Sequence, residues 1–371
     1  LMNKNIVIVV SSLNMGGAQR VVSILANYWS QKGYSVKLIC THTLQIESFY
    51  SLDQTVDISY LQDIPNLKKS NFFNLMWKLF LLRKELVKAK PDVIVSFLTR
   101  VNVATALACT GLKASFILCE RSWPPFRSLS RNLLWLYRLV FKNVTQFIVQ
   151  TETSKTWFNE KLYADNVKLI SNPVSYPLTL QDNQCDIPDN LISGDKKLII
   201  ACGRLHKEKQ FDLLIKAFSK LQCEFEDWRL VILGEGEERK NLDNLVISFE
   251  ADHAIFLPGA SRNMSEWYER GDLFVLSSKV EGFPNALLEA MVYGLACISF
   301  DCDTGPRDMI QHGFNGLLVN PIEHQLGLEK ALKKLMSDKE LRIKLSENSI
   351  LLREKYSVDK IMKDWDTVLG L

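Results

Sequence analysis

Two glutamates, Glu281 and Glu289, stand at the ends of the segment EGFPNALLE, which follows the apolar run 272–278. Pro284 suits the first position of a helix, because the N–H that proline lacks is not needed there. Glu281 then lies in the turn before the helix, and Glu289 lies about one and a half turns inside it. The N–H groups near 283–286 favour an anion such as phosphate. This arrangement predicts a nucleotide-sugar site, with Glu281 near the sugar and Glu289 binding two ribose hydroxyls.

A basic loop follows the apolar run 197–202, and its cations include Arg204 and Lys209. Two cations beyond the end of a strand could hold a leaving diphosphate through charge-assisted hydrogen bonds. The alternative is an ordinary solvated loop, since exposed charges are common and contribute little to stability. Gly203 and Gly234 follow two successive strand runs and predict turns in which a ligand can approach the backbone.

Gly16 and Gly17 lie between the first apolar run and the first helical pattern. Adjacent glycines let the backbone come close to a phosphate or sugar, and the start of a helix favours an anion. A tight turn is the alternative, because the pair is not the spaced G-x-G-x-x-G of dinucleotide sites. That missing motif also argues against a dehydrogenase.

Asp301 and Asp303 form a D-x-D pair at the end of a strand run, which could suggest a metal site. Hard divalent cations want more oxygen ligands than two, and no third carboxylate or histidine adjoins the pair. The histidines are scattered, without the spacing of metal ligands. We therefore expect no metal ion.

The elements that must position these residues are apolar strand runs alternating with helical patterns, which predict parallel sheets. A polar, proline-containing stretch separates two such series. Each series is typical of a doubly wound unit, in which ligands bind beyond the carboxyl ends of the strands. Two facing units would place one cleft between them. The predicted strands are 5–10, 35–40, 93–97, 116–119, 146–150, 197–202, 229–233, 254–256, 273–276 and 296–300.

The length of 371 residues suits two domains of ordinary size. Residues 1–194 carry 21 Lys+Arg against 13 Asp+Glu, whereas residues 195–371 carry 24 against 29. A basic first half and an acidic second half indicate domains with different partners. We expect a first domain at 1–175, a linker at 176–195 and a second domain at 196–355.

The eight cysteines include no C-x-x-C pair and lie mostly in apolar runs, which is typical of a reducing compartment. No basic-apolar-small signal peptide begins the sequence. No apolar run reaches the ~18 residues needed to span a bilayer. We therefore expect a cytoplasmic protein, peripheral at most on the inner face of the cell membrane, with no nucleic acid as partner.

Residues 72–90 predict a helix with two stripes on opposite faces. The stripe expected to face the core is Phe72, Leu75, Leu79, Leu82 and Leu86. The opposite stripe combines aromatic residues with lysines, which suggests an anionic membrane surface. Its members are Phe73, Trp77, Phe80, Lys84 and Lys88. Residues 131–142 repeat the theme with Arg131, Trp135, Arg138 and Lys142. The alternative is a solvated basic face with aromatic residues packed under loops.

Four motifs together resemble the retaining glycosyltransferases of family 4 over nearly the whole chain: Gly16-Gly17, Gly203-Arg204-Leu…Lys209, Glu281-Gly-Phe-Pro…Glu289 and Asn315-Gly-Leu-Leu-Val319. The resemblance implies an α/β protein of GT-B type, with two facing doubly wound Rossmann-like domains, an interdomain cleft and a C-terminal helix, about 356–371, that crosses back to the first domain. It implies that Arg204 and Lys209 grip the diphosphate of a UDP-sugar, that Glu281 addresses the sugar and Glu289 the ribose, and that no metal is required. Further donor contacts would fall on Gly16, Gly17, Gly203, Gly234, Gly282, Phe283, Pro284 and Asn285.

One stretch departs from the pattern of that family. Many members carry a histidine in the motif Ser-Glu-His-Ser, near the sugar and the acceptor, where this sequence has Cys119-Glu-Arg-Ser122. Arginine cannot act as a base at neutral pH. Either the role of the histidine is dispensable, or Arg121 binds a phosphate.

The chain is also similar, more loosely, to bacterial enzymes that extend undecaprenyl-diphosphate-linked glycans for O-antigen, capsule or N-glycan assembly. In those enzymes a basic helix at this position faces the lipid diphosphate. We expect transfer of a hexose or N-acetylhexosamine, such as GalNAc, from a UDP-sugar to a polyprenyl-diphosphate-linked glycan. The alternatives are a nucleotide-sugar 2-epimerase, which would need acid/base groups around the sugar ring, and a non-catalytic two-domain sugar-binding protein.

Overall fold

The computed structural model describes residues 4–14, 16–42, 48–65, 71–123, 131–162, 165–178 and 196–371, and for residues 131–134, 136 and 143 it describes the backbone alone. The chain divides into two compact units. The first comprises residues 1–173 and 361–371, and the second comprises residues 174–360. Most of the expected linker lies outside the described residues.

The first unit is built on a seven-stranded sheet in the order β3-β2-β1-β4-β5-β6-β7. Each strand is parallel to its neighbours. The chain starts in the middle, winds to one edge and then winds to the other, as in a doubly wound fold. The strands are β1 (Asn5–Val10), β2 (Ser35–Cys40), β3 (Asp57–Tyr60), β4 (Val93–Phe97), β5 (Ser115–Cys119), β6 (Gln146–Val149) and β7 (Val167–Leu169).

Helices connect these strands, and each buries one face on the sheet. The helix after β1 buries Val22, Leu25 and Trp29, at the spacing expected for one side of a helix. The helices are α1 (Gly17–Gln31), α2 (Phe72–Ala89), α3 (Thr99–Cys109), α4 (Arg131–Val140) and α5 (Glu152–Leu162), with a 3₁₀ turn at Phe141–Asn143.

The second unit repeats the plan on a six-stranded parallel sheet in the order β10-β9-β8-β11-β12-β13. The strands are β8 (Lys197–Cys202), β9 (Trp228–Leu233), β10 (Ile255–Gly259), β11 (Leu273–Leu276), β12 (Ala296–Phe300) and β13 (Leu317–Val319). The helices are α6 (Phe211–Ser219), α7 (Arg239–Ser248), α8 (Met264–Arg270), α9 (Asn285–Tyr293), α10 (Pro306–Met309), α11 (His324–Ser337), α12 (Lys339–Ser349) and α13 (Leu352–Lys355), with 3₁₀ turns at Lys207–Lys209 and Pro321–Glu323.

Most of the last helix, α14 (Val358–Leu369), belongs to the first unit, which includes residues 361–371. Trp365 is fully buried there, and its ring meets that of Trp29 edge to face with centroids 5.9 Å apart. The neighbouring Asp366 accepts a hydrogen bond from Tyr28 at 3.0 Å and pairs with Lys32 at 2.7 Å. The first unit is therefore completed by residues that come after the whole second unit in the chain.

All ten predicted strands are present, with bounds that differ by at most a few residues. Their backbones lie in parallel sheets covered on both faces, so their side chains form continuous apolar runs that are easy to recognise. Three strands were missed: β3, β7 and β13. Each lies at an edge of its sheet and has only three or four residues. No helix among the described residues is long and apolar enough to cross a membrane.

Candidate functional site

An ion pair between Lys209 and Glu281 lies beyond the carboxyl ends of β8 and β11 in the second unit. The Lys209 Nζ is 2.6 Å from Glu281 Oε1, and the two side chains are only 24% and 12% exposed. Burial alone would lower the pKa of Lys209, but the charge and hydrogen bond of Glu281 raise it above its ordinary value. Lys209 is thus held as a cation next to a carboxylate.

Backbone contacts fix the loops that carry this pair. Ser277 Oγ donates to the Lys209 carbonyl at 2.7 Å, and the Lys279 N–H donates to the Glu208 carbonyl at 2.8 Å. Thr304 Oγ1 donates to the Glu281 carbonyl. The loops after β8, β11 and β12 are therefore tied together at one edge of the sheet, where ligands bind in such folds.

Arg204 differs from Lys209 in its surroundings. Its side chain is exposed, and no described residue forms a hydrogen bond or ion pair with its guanidinium. The structure places it five residues before Lys209 in the same loop, without a direct contact between the two side chains. An exposed guanidinium in this loop is available to a bound anion.

The glycines of the basic loop allow two stretches of backbone to approach each other. Gly203 and Gly234 both have positive φ angles, 153° and 145°. A Cβ on Gly234 would lie 1.9 Å from the Gly203 carbonyl oxygen, and one on Gly203 would lie 3.3 Å from Lys209 Cε. The close approach that these glycines allow is one between the two loops. The approach of a ligand to this backbone stays a prediction.

The helix that carries Glu289 begins one residue later than predicted. Pro284 has an extended ψ of 90° and serves as the N-cap, so helical geometry starts at Asn285. Phe283 is buried, with its ring 5.8 Å from that of Tyr356, so its side chain packs in the core. Of Phe283, only the backbone is left to meet an anion. First-turn N–H groups have no acceptor within their own helix, which keeps the anion-site prediction physically reasonable.

Glu289 is a buried carboxylate, 6% exposed, on α9. The Tyr268 hydroxyl donates to its Oε2 at 3.2 Å. Tyr268 belongs to α8 and was missed by the sequence analysis. A buried hydroxyl needs a partner, but the partner of Tyr268 lies on another helix, so the sequence carries no local signal for this contact.

The D-x-D pair is engaged by a cation of the protein. Arg307 Nε lies 2.9 Å from Asp301 Oδ1, and this hydrogen bond raises the pKa of Arg307. Among the residues that the structure describes, no group of three or more His, Cys, Asp or Glu side chains is arranged to hold a metal ion. Burial raises the pKa of the nearby Cys302 thiol to about 12.

The first unit holds the remaining predicted positions. Gly16 and Gly17 lie at the carboxyl end of β1, where Gly17 begins α1 and the Gly16 carbonyl accepts from the Arg20 N–H at 3.0 Å. The Gly16 φ of 169° is extended backbone that any residue adopts, so no backbone strain requires this glycine. Met15 next to it lies outside the described residues.

Arg121 lies between aromatic rings rather than in solvent. Its guanidinium carbon is 5.0 Å from the centre of the Phe97 ring and 5.9 Å from that of Trp365. Its Nη1 donates to Asn172, and Nε and Nη2 are buried without a partner among the described residues. Burial lowers the pKa of Arg121. As placed, these two nitrogens are covered by protein, so a phosphate would reach them only after the side chain moves.

The neighbouring Glu120 organises the same loop. Its carboxylate accepts from Thr99 Oγ1 at 2.8 Å, from Ser122 Oγ at 2.8 Å, and from the N–H groups of Arg121 and Ser122. Burial raises the pKa of Glu120 despite these hydrogen bonds. A carboxylate with four donors is positioned to shape the chain after β5.

In helix α2 the stripe of aromatic residues and lysines is exposed, whereas the stripe expected to face the core is only partly buried. Phe72 and Leu75, expected in the core, are 67% and 55% exposed, so that part of the prediction was wrong. The first turns instead attach through Asn74, which accepts from the Ile64 N–H at 3.0 Å and donates to Asp63. A polar anchor therefore replaced the apolar contact that the periodicity predicted. Residues that do reach the core are Leu82 and Leu86.

All members of the opposite stripe are exposed. Together with the misassigned residues they form a broad surface, which we call the aromatic face and which consists of Phe72, Phe73, Leu75, Met76, Trp77 and Phe80. Lys84 and Lys88 continue it toward the end of the helix. In α4, Trp135 is 62% exposed, whereas Arg138 donates to the Lys161 carbonyl at 2.8 Å. The side chain of Arg131 lies outside the described residues.

The family comparison decides between the classes of protein considered above. Residues 15–176 match the family model described as Glycosyltransferase Family 4, and residues 182–351 match that of Glycosyl transferases group 1. The chain belongs to glycosyltransferase family 4. The predicted family membership is thereby confirmed, and the activity is glycosyl transfer.

Relatives of this glycosyltransferase align along nearly its whole length. An uncharacterized glycosyltransferase of Haemophilus influenzae is 29% identical, covering 95% of this chain and 96% of its own. A Campylobacter jejuni alpha-1,4-N-acetyl-D-galactosaminyltransferase, named for a GalNAc-GalNAc-diNAcBac-PP-undecaprenol acceptor, is 28% identical over 96% of each chain. The Anabaena protein HepE, solved with UDP and glucose, has a TM-score of 0.80 at 16% identity over 99% of each chain. This likeness confirms the predicted GT-B fold class.

Proposed function

We propose that this glycosyltransferase moves a hexose or N-acetylhexosamine from a UDP-sugar to a polyprenyl-diphosphate-linked glycan, with retention of the anomeric configuration. The observation that carries the proposal is the Lys209–Glu281 pair at the carboxyl edge of the second sheet. It puts a cation for the diphosphate directly beside a carboxylate for the sugar. Buried Glu289 lies in the helix that follows.

The chemistry follows from what these side chains can do. The acceptor hydroxyl attacks the anomeric carbon from the face of the leaving diphosphate, and the C–O bond to the diphosphate breaks. A phosphate oxygen of the donor takes the proton of the hydroxyl, so no protein base is needed. Lys209, Arg204 and the start of α9 stabilise the negative charge that develops on the diphosphate. These groups supply positive charge at the position where other enzymes use a divalent cation.

The acceptor assignment draws on the first unit and on one relative. The Campylobacter enzyme is named for an undecaprenol-linked diphosphate acceptor. The aromatic face with Lys84 and Lys88 combines apolar and cationic groups, which suits the surface of an anionic membrane. We propose that the protein is peripheral on the membrane that holds its lipid-linked acceptor.

The test is transfer with a panel of UDP-hexoses and UDP-N-acetylhexosamines and a synthetic polyprenyl-diphosphate disaccharide. UDP release and product mass report transfer, and the anomeric coupling constant of the product reports retention. We expect activity to persist in excess EDTA. Inverted product would overturn the mechanism, and loss in EDTA with recovery on adding Mg²⁺ or Mn²⁺ would overturn metal independence. Interconversion of 2-epimeric UDP-sugars without acceptor would replace transfer by epimerisation.

A further inference from the structure

We infer that Tyr268 is a positioning residue that fixes the Glu289 carboxylate in the orientation required to bind the two ribose hydroxyls of the donor nucleotide. The inference rests on the proposed function and on the role expected for Glu289 from the sequence, which is to bind the ribose of the donor. Tyr268 does not touch the nucleotide in this account. It acts through the carboxylate.

The hydroxyl of Tyr268 is placed to hold one oxygen of Glu289. It lies 3.2 Å from Glu289 Oε2, and also 3.5 Å from the Ala286 carbonyl and 3.5 Å from Cys202 Sγ. A hydroxyl has one proton, and an ionised carboxylate is a stronger acceptor than a carbonyl or a thiol. The Cys202 thiol is then the donor to the tyrosine oxygen. The resulting series of hydrogen bonds runs from Cys202 at the end of β8, through Tyr268, to Glu289 on α9.

The ring of Tyr268 cannot easily move. It is 1% exposed. Its centroid lies 6.1 Å from that of Phe274 and 5.5 Å from that of Tyr293. Closely packed aromatic rings leave few alternative rotamers, so the position of the hydroxyl is set by the core of the second unit.

A restraint of this kind matters for a glutamate that must bind a vicinal diol. The last torsion of a glutamate side chain has a broad energy profile, so the carboxylate rotates easily unless something holds it. Two neighbouring hydroxyls require both oxygens in a defined plane, and small errors in placement weaken both hydrogen bonds. The Tyr268 hydroxyl supplies a restraint of this kind at Oε2.

The experiment compares UDP with 2′-deoxy-UDP, each titrated into the full-length protein by calorimetry. If Glu289 binds the diol, wild type should bind UDP about tenfold or more tightly than 2′-deoxy-UDP, because a hydrogen bond to a charged group is lost. Tyr268→Phe keeps the ring and removes the hydroxyl. We expect it to reduce that ratio by about three- to tenfold, mainly through weaker UDP binding, and to raise KM for the UDP-sugar more than it lowers kcat.

Two variants separate this inference from its alternatives. Tyr293→Phe removes a neighbouring hydroxyl that accepts from the Leu178 N–H at 2.7 Å, and it should leave the ratio unchanged. Glu289→Gln should reduce the ratio at least as much as Tyr268→Phe does. A Tyr268→Phe protein that weakens both nucleotides equally, or neither, would overturn the positioning role. If Glu289→Gln leaves the ratio unchanged, the ribose role of Glu289 fails and the inference fails with it. If wild type binds neither nucleotide, the proposed donor is wrong.

Discussion

Lys209 has a partner within the protein, Glu281, so a diphosphate that binds Lys209 joins or displaces that partner. Removing the lysine therefore does two things. It takes away a cation that strengthens its contacts as the diphosphate leaves, and it leaves Glu281, 12% exposed, without its counter-ion. The loss of the cation and the unpaired negative charge of Glu281 both weaken the binding of an anion.

For these reasons Lys209→Ala and Arg204→Ala should each lower kcat by about 100-fold or more while the fold survives. Lys207→Ala is the matched control, since it is an exposed lysine in the same loop. Rates are measured with saturating donor, and folding is checked by thermal unfolding. Near-normal rates for both main variants would contradict the assignment of the diphosphate site.

At the residue scale, sequence reasoning found charged residues but not how they are held. Arg204, Lys209, Glu281 and Glu289 stand in recognisable positions after strand runs. Tyr268 was missed because its role depends on packing between helices α8 and α9, which no local pattern encodes. The sequence left Arg121 as a candidate phosphate ligand. In the structure its guanidinium lies over the ring of Trp365, a residue far away in the chain.

At the element scale, α2 presents an apolar surface that is exposed among the residues that the structure describes. Trp77 is 40% and Phe80 57% exposed, and their rings stack with centroids 5.6 Å apart. The bounds of this helix were predicted within one residue, because its N-cap Asn71 and its length are local features. The contacts of its first turns were not predicted, because Asn74 binds the loop at residues 63–64 and hydrophobic periodicity carries no information about a polar contact.

If this surface binds membrane, replacing Lys84 and Lys88 with glutamate should reduce co-sedimentation with anionic vesicles by roughly tenfold or more. Each cation near such a surface contributes about 1 kcal/mol, and salt screens the attraction. The control is Lys330→Glu with Lys334→Glu, which reverses two exposed lysines of the same spacing on α11 of the second unit. Both double variants should keep wild-type affinity for UDP. Unchanged vesicle binding in the α2 variant would show that the aromatic face is ordinary protein surface.

At the scale of the whole molecule, the two sheets could be predicted because buried parallel strands leave continuous apolar runs. The short edge strands β3, β7 and β13 could not; Asp57–Tyr60, for example, has four residues and is only partly buried. Trp365 was also not identified as a core residue of the first unit. Nothing near it in the sequence reveals that its partners are Trp29 and Phe97.

Trp365→Ala should therefore destabilise the first unit by about 3–5 kcal/mol, the usual cost of removing a large buried aromatic side chain. Trp135→Ala is the control, because Trp135 is exposed in the same unit and should change stability by less than about 0.5 kcal/mol. Urea unfolding followed by circular dichroism measures both. Equal effects of the two substitutions would contradict the packing described for the last helix. UDP affinity should be retained by both variants.

The return of residues 361–371 to the first unit has a consequence for synthesis. The ribosome must make residues 174–360 before Trp365 exists, which at about 5–20 residues per second takes roughly 10–40 s. During that interval Trp29 and Phe97 lack the ring that covers them. A translation product that stops early thus contains no finished first unit, so the aromatic face becomes part of a complete unit only once the second unit has already been made.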